Sequence, residues 1–523
     1  MPEQARIDAV VCLALVLAGT ALAASLFLAG GCHGAPRIHD EFAYLLQAKM
    51  LASGHLTEPS PPLPEFFETA HVLLVPRYAA KYFPGHAALL APFVPLGVPW
   101  LLPCLLLGGT CALLFLGLRL SGFARGPALV APLLLLGSAD VLPVFASYFS
   151  QASTCFWVSG AVVAAALSSR RPALGAALLG LCAGWAGLTR PFTGLALAAA
   201  AAGLLLTRRE TRQPRIAFAF GVPLLAAAGL ALVCCHATTG SWTRSPWSLY
   251  AAQYTPADGP GFGPVREAAP LRALPPYLKS MGRGFEAARR SYSAGALLDQ
   301  IPRRAHLVVD ELSAPVLALV VLGLFAMQPA LWMGLAFAFM DFALLLDFHT
   351  VFSLYLVDVR PALLLVAAAG AARAFALIAT LRPPALRAAL AAAAALVLVW
   401  VAAGSARSVR ERIELAHWSG TDRTAAYAAP LAEVRAQRGL VFLRYPADWN
   451  GNYDLTYNEP DLATAPLVRA IDLGPRDAEL MRFFPDRPAF LLDLETARLT
   501  RLPSSNLVPL TAGPAADPPR GGD

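Results

Sequence analysis

Long apolar runs alternate along this chain with short connections that carry arginine, and the pattern predicts most of the architecture. A membrane-crossing helix needs about 20 mostly apolar residues to cover ~30 Å of hydrocarbon. About eleven segments approach that length: 8–30, 100–119, 127–146, 151–168, 172–189, 193–207, 215–236, 313–328, 330–348, 361–379 and 386–404. The run 86–98 is apolar but too short to cross, and it fits a helix dipping into the membrane face. Two long polar segments, 31–85 and 238–312, interrupt the series. Beyond residue 404 the pattern changes. Strand-like pieces at 440–443 and 489–492 alternate with polar turns such as 449–453. The expected fold class is an all-α polytopic membrane bundle, residues 1–404, followed by a small α/β C-terminal domain, 405–523. The Pro-, Gly- and Asp-rich end of that domain reads as disordered.

Composition agrees with this reading and excludes a soluble enzyme. The chain has 523 residues, 57% hydrophobic and 14% charged, where a soluble domain carries roughly 25% charged residues. The net charge of +7 is spread over short loops, with no basic stripe interleaved with aromatics, so nucleic acid is not an expected partner. Arginine placement orients the bundle. Arg119, Arg125, Arg170, Arg171, Arg208, Arg209, Arg212, Arg215, Arg373, Arg382 and Arg387 fall in alternate short loops, which become the cytoplasmic ones. The N-terminus is then inside, and 31–85, 238–312 and the C-terminal domain are outside. The cysteines lie mostly in apolar spans and form no CxxC pair, so they predict neither a zinc site nor a disulfide framework. Residues 29–32 faintly resemble a lipoprotein cleavage site at Cys32, but 8–30 reads as an uncleaved first helix. No internal repeat marks an inverted-repeat transporter.

Candidate chemistry begins just past the first span. Asp40 and Glu41 open a short amphipathic segment, 39–54, and ionisable pairs at a membrane surface point to function. Asp40 and Tyr44 are four apart and share a helix face. Later in the same outer segment, residues 77–86 place two cations among aromatics, with Lys81 and Tyr82 before a Pro-Gly turn. Carboxylates facing cations suit one reaction in particular. A carboxylate takes a proton from an acceptor hydroxyl while cations hold a departing lipid phosphate. The plainer alternative is that Asp40 caps the helix, Glu41 favours its dipole and Lys81 snorkels to head groups.

These patches, taken in order, resemble the GT-C membrane glycosyltransferases, nearest the family-39-like branch of protein O-mannosyltransferases and aminoarabinose transferases. The pieces that carry the resemblance are Asp40-Glu41 with Tyr44 and residues 50–54, then 81–85 with 88–90, 147–151, 188–191 and 239–241. The resemblance implies that Asp40 is the general base. Glu41 would support it or help bind acceptor or metal. Lys81 would contact the donor phosphate with Arg190, and Arg360 sits where the family often has a basic residue. His39, Tyr44, Tyr82 and Tyr148 would shape the pocket. The implied donor is a polyprenyl-phosphate sugar, the acceptor is left open among lipid, polysaccharide and protein, and transfer inverts the anomeric centre. The implied location is the bacterial inner (plasma) membrane. Two departures stand out. Gln151 occupies a position where the family often has Glu, which leaves a divalent metal open. Lys81 lies three before Pro84, where the aminoarabinose branch has Lys-Pro-Pro.

Other ionisable groups have two readings. Asp347 and His349, near the outer end of a span, could line the same pocket, while Asp341 could be a buried hydrogen bond inside the bundle. The five histidines of the first outer segment, His71 among them, lack the i, i+4 spacing of a helical zinc site. Two rival functions remain at this level: a transporter or flippase of lipid-linked sugars, and a non-catalytic GT-C relative in envelope assembly.

Overall fold

A computed structural model describes residues 3–29, 35–263, 274–310, 312–381, 383–416 and 422–503. Cys32, the segment 264–273 of the large outer loop and the end beyond 503 lie outside the described residues. Proline sets many helix starts: Pro172, Pro191, Pro214, Pro329 and Pro384 each occupy a first helical position, where the missing N–H is no loss. Each of the eleven segments read from the sequence contains helix. Among the described residues, six helices are long and apolar enough to cross a membrane: Glu3–Leu28, Leu101–Leu120, Pro172–Thr189, Pro214–Thr239, Ser353–Ala379 and Pro384–Gly404. A seventh span results if Ala294–Val309 and Ala314–Ala326 are joined across their 108° bend. Four more apolar helices are shorter: Arg125–Leu136, Gln151–Leu167, Pro191–Thr207 and Pro329–Leu345. The segment 127–146 shows the cause, because its helix ends at Leu136 against Gly137 and a separate turn, Leu142–Phe145, follows. The protein is thus a mostly helical, multi-span chain with fewer full-length spans than the apolar runs suggested.

Small residues let the helices close on one another. A Cβ on Gly323 would lie 2.0 Å from the Val366 carbonyl oxygen, and one on Gly370 would lie 1.9 Å from that of Leu319. At one end of the bundle Asp8 pairs with Arg119 at 3.1 Å and Arg125 at 2.6 Å, tying the first helix to a basic connection. The run 86–98 forms a helix, Gly85–Leu90, that tightens into a 3₁₀ turn at Ala91–Phe93.

At the other end, three segments distant in sequence pack together. The first polar segment contributes the helix His39–Ala52 and the strand Arg77–Ala80, which pairs antiparallel with Glu58–Pro59 and Val72–Leu73. The C-terminal region forms the expected small α/β unit. Its sheet has the order Val468–Ile471, Leu440–Arg444, Ala489–Asp493, Arg498–Arg501, with the first three strands parallel and the last antiparallel. The apolar residues of this unit share their core with the first outer segment and the large outer loop. Ala43, Leu46, Met50 and Phe66 pack with Phe442, Tyr457 and Leu480, while Leu73, Tyr250, Tyr254 and Tyr277 pack with Val441, Trp449 and Phe490. The helix Pro384–Ala416 also runs past residue 404 without a break.

Candidate functional site

The site grows from the first turn of the helix His39–Ala52. Ile38 is the N-cap residue, its side chain makes no capping hydrogen bond, and Asp40 follows in the first turn. The Asp40 carboxylate accepts from the Tyr82 hydroxyl on one oxygen. The other oxygen lies 2.8 Å from His39 Nδ1 and 3.6 Å from His71 Nε2. Burial works against the charge on Asp40, but His71 and His39 outweigh it and hold the carboxyl well below the usual carboxylate range. Burial, Lys81 and His39 push His71 itself down to about 3. At neutral pH His71 is therefore uncharged, and at 3.6 Å it lies beyond hydrogen-bond distance of the carboxylate. His71 adopts a left-handed backbone, φ +64°, sparsely populated outside glycine. Lys81 N–H donates to its carbonyl at 2.9 Å, and its own N–H donates to the Tyr250 hydroxyl at 3.0 Å.

Lys81 does not snorkel. It is 5% exposed, and its ammonium lies 4.9 Å from the Tyr250 ring centroid and 5.3 Å from that of Tyr82. Among the described residues, no acceptor is within hydrogen-bond distance of its Nζ. Burial lowers its pKa, while Asp258 and Asp40 favour the charged form. Tyr44 stacks on Tyr82 at 4.3 Å and donates to Ser150 Oγ at 2.8 Å. Arg190 pairs with Asp358 at 2.9 Å, and its guanidinium lies 5.7 Å from the Tyr355 ring. Asp358 in turn accepts from Thr154 at 2.5 Å and Thr193 at 2.9 Å, a buried frame that fixes the arginine.

The remaining sequence candidates fall in different places. Glu41 turns away from its neighbour. Its Oε2 accepts the Tyr148 N–H at 3.0 Å, and burial pushes its carboxyl up to about 7 against the pull of that N–H and Arg37. Tyr148 itself packs its ring edge-on to Phe27 at 5.3 Å, inside the bundle. Gln151 reaches only the Leu354 carbonyl, at 3.4 Å. The Asp347 carbonyl accepts from Gly261 N–H at 2.9 Å. His349 stands beside Asp258, whose carboxyl is raised by burial against the charge of Lys81. Arg360 is not brought to this cluster. Its Nε donates to Asp140 at 2.5 Å and its Nη1 to the Val308 carbonyl at 2.7 Å. Asp341 lies buried in the bundle, and among the described residues neither carboxylate oxygen has a hydrogen-bond partner.

His71, Asp258, Tyr355 and Asn452 also lie in this cluster but were not singled out for it in the sequence. Asn452, from the C-terminal unit, meets His39 Nε2 at 2.9 Å. Their approach depends on long-range packing, and no local spacing announces it. His39, Asp40 and His71 place three metal-ligand atoms within 4.8 Å of one another. Imidazole and carboxylate suit a zinc-class ion, but the fit is poor. Asn452 already occupies His39 Nε2, and the Lys81 ammonium near His71 disfavours a second cation there.

Over most of its length the chain is similar in structure to GT-C membrane glycosyltransferases. Among them is ArnT from Cupriavidus metallidurans bound to undecaprenyl phosphate, at 15% identity over 91% of this chain and 92% of that one, with a TM-score of 0.48. The mycobacterial arabinofuranosyltransferase AftD is 18% identical over 93% of this chain and 36% of its own, TM-score 0.46. The O-mannosyltransferase Pmt1-Pmt2 complex of S. cerevisiae, bound to its sugar donor, matches 47% of this chain at 18% identity and a TM-score of 0.33, and the chain spans 36% of that protein's length. No protein-family model and no curated protein matches the sequence.

Proposed function

We propose that the protein is an inverting membrane glycosyltransferase that moves a sugar from a polyprenyl-phosphate donor to an acceptor on the extracytoplasmic face. The observation that carries this reading is Lys81: a buried ammonium bracketed by tyrosine faces, without an acceptor, beside an ionised carboxylate. Burying a cation is costly unless an anion completes the site. A phosphate does so here, and only while a donor is bound. Asp40 takes the proton from the acceptor hydroxyl. The oxygen then attacks the anomeric carbon, the bond from that carbon to the phosphate oxygen breaks, and polyprenyl phosphate leaves with its charge held by Lys81 and Arg190. Tyr44, Tyr82 and Tyr355 supply flat faces for the sugar.

The test is transfer of radiolabelled sugar from a panel of polyprenyl-phosphate sugars in membranes. Asp40→Asn keeps the shape and removes the base, so transfer falls by about 10²–10⁴-fold. Undiminished transfer by that variant would refute the assignment of Asp40 as base. No transfer from any donor by folded wild-type protein would refute the transferase reading.

A further inference from the structure

The C-terminal unit reaches into the proposed site at one side chain. Asn452 sits on the 3₁₀ turn Gly451–Tyr453, and its N–H donates to Asn450 Oδ1 at 3.0 Å. Gly451 leaves no room for a side chain against Tyr277, whose ring carbon would be 3.1 Å from an added Cβ. The turn is anchored by Asp454, a buried carboxylate that accepts from Thr69 Oγ1 (2.7 Å), Ala70 N (3.1 Å), Tyr277 Oη (2.7 Å), Tyr445 Oη (3.1 Å) and Thr456 N (2.8 Å). Residue 39 is then gripped twice. The Tyr457 hydroxyl donates to its carbonyl at 3.0 Å, and the Asn452 amide meets its ring at Nε2.

The imidazole lies between this amide and Asp40, with Nδ1 2.8 Å from the carboxylate. A lone pair on Nδ1 would face an anion at that distance, so a proton belongs there. Two arrangements supply it. Either the amide NH₂ donates to an unprotonated Nε2, or the amide oxygen accepts from a ring that carries both protons. Heavy-atom positions do not distinguish the two amide orientations, and both leave the Nδ1 proton beside Asp40 in a charge–dipole contact, too oblique for a hydrogen bond.

We infer that Asn452 is a positioning residue for the transfer reaction: by its hydrogen bond to Nε2 it holds the His39 ring with Nδ1 2.8 Å from one oxygen of Asp40, and so steadies the carboxylate. This rests on the reading of Asp40 as base. An orienting partner behind an imidazole fixes its tautomer and its direction, and losing the wrong one can cost more than losing contact area. Other groups facing Asp40 are His71, Tyr82, Lys81, Tyr44, Tyr355 and Asp258, and none of them fixes the His39 ring by hydrogen bond. A unit beyond the bundle thereby becomes part of the active centre.

The experiment compares Asn452→Ala with wild type in lipid nanodiscs. The expected result is a fall in kcat of at least about 10-fold with the donor KM within about twofold. In an Asp40→Asn background the same substitution changes the residual rate less than about twofold, because a positioning residue acts through the group it positions. An equal loss in both backgrounds, or a loss carried by KM, would overturn the inference. A second readout does not need activity. With ¹⁵N-labelled histidine, assigned by subtracting the spectrum of His39→Gln, the His39 ring in wild type shows a protonated Nδ1. Asn452→Ala redistributes the proton between the two nitrogens. Identical ¹⁵N shifts in wild type and variant would overturn the proposal even if the protein transfers no sugar, which separates its failure from failure of the transferase reading.

Discussion

Glu41 allows a test in which direction, size and pH range all follow from the structure. Its carboxyl is 2% exposed and rises from 4.5 to about 7, chiefly by burial, with Tyr148 N–H and Arg37 pulling the other way. In the unfolded chain the group ionises near 4.5, so between the two values the native state holds a proton that the unfolded state has lost. Stability therefore falls as pH rises through that interval and levels off above the folded value. Each pH unit across it withdraws about 1.4 kcal/mol, so ionisation of Glu41 removes about 3 kcal/mol by pH 8. Glu41→Gln keeps the volume and can still accept the Tyr148 N–H, but it has nothing to ionise. The assay is the apparent melting temperature of the purified protein in detergent, read by tryptophan fluorescence from pH 5 to pH 8. The variant should melt close to wild type at pH 5 and increasingly above it toward pH 8. A difference between the two that stays constant with pH would refute the burial argument, and a difference of opposite slope would mean that Arg37 dominates instead.

Three further outcomes follow from particular contacts. Lys81→Ala should raise the donor KM by about 10-fold or more, whereas Arg360→Met should leave it within about twofold and cost about 3–5 kcal/mol of stability through the loss of its contact with Asp140; a donor KM that moves with Arg360 and not with Lys81 would reverse the assignment. Exhaustive chelation should leave transfer unchanged, because Asn452 already holds His39 Nε2 and Lys81 disfavours a cation beside His71; loss on chelation that zinc restores would make the His39–Asp40–His71 cluster a metal site. Asp454→Ala should expose the C-terminal unit to limited proteolysis and cost about 3–5 kcal/mol, since buried donors lose their common charged acceptor; unchanged protease resistance would show that apolar packing alone docks it.

Much of the fold was legible because its signals are local. The alternation of apolar runs with arginine-bearing loops and the polar turns between strand-like pieces each act over a few residues. The span count was less legible, since an apolar run of 20 residues does not reveal that its helix stops after 12. Within the site, Asp40, Tyr44, Lys81 and Tyr82 fall together as their order in the chain suggested. Glu41 does not join them. Adjacent helical residues point about 100° apart, so the acidic pair could not face one pocket together, and only one member does. Arg360 shows a different limit, because the sequence placed it at the outer end of a span but said nothing of Asp140, 220 residues away.

The docking of the C-terminal unit, unlike its α/β character, was not legible, and the physics of the helix it covers explains why it is needed. A helix of 14 residues is marginal in isolation, and His39–Ala52 has no side-chain cap at its N-terminus. Its order has to come from packing. The C-terminal unit supplies part of this along the helix: Tyr457 stacks on Phe42 at 4.4 Å, and Glu459 meets Lys49 through both oxygens at 2.8 Å. The ion pair is half-exposed and worth little by itself, so the aromatic stack and the shared apolar core carry most of the weight. Asp40 stands in the first turn, where fraying begins. A helix held only from the bundle side would leave that turn loose, and the carboxylate would lose the fixed direction a general base requires. Docking of the described C-terminal unit, 422–503, thus holds the proposed base in place.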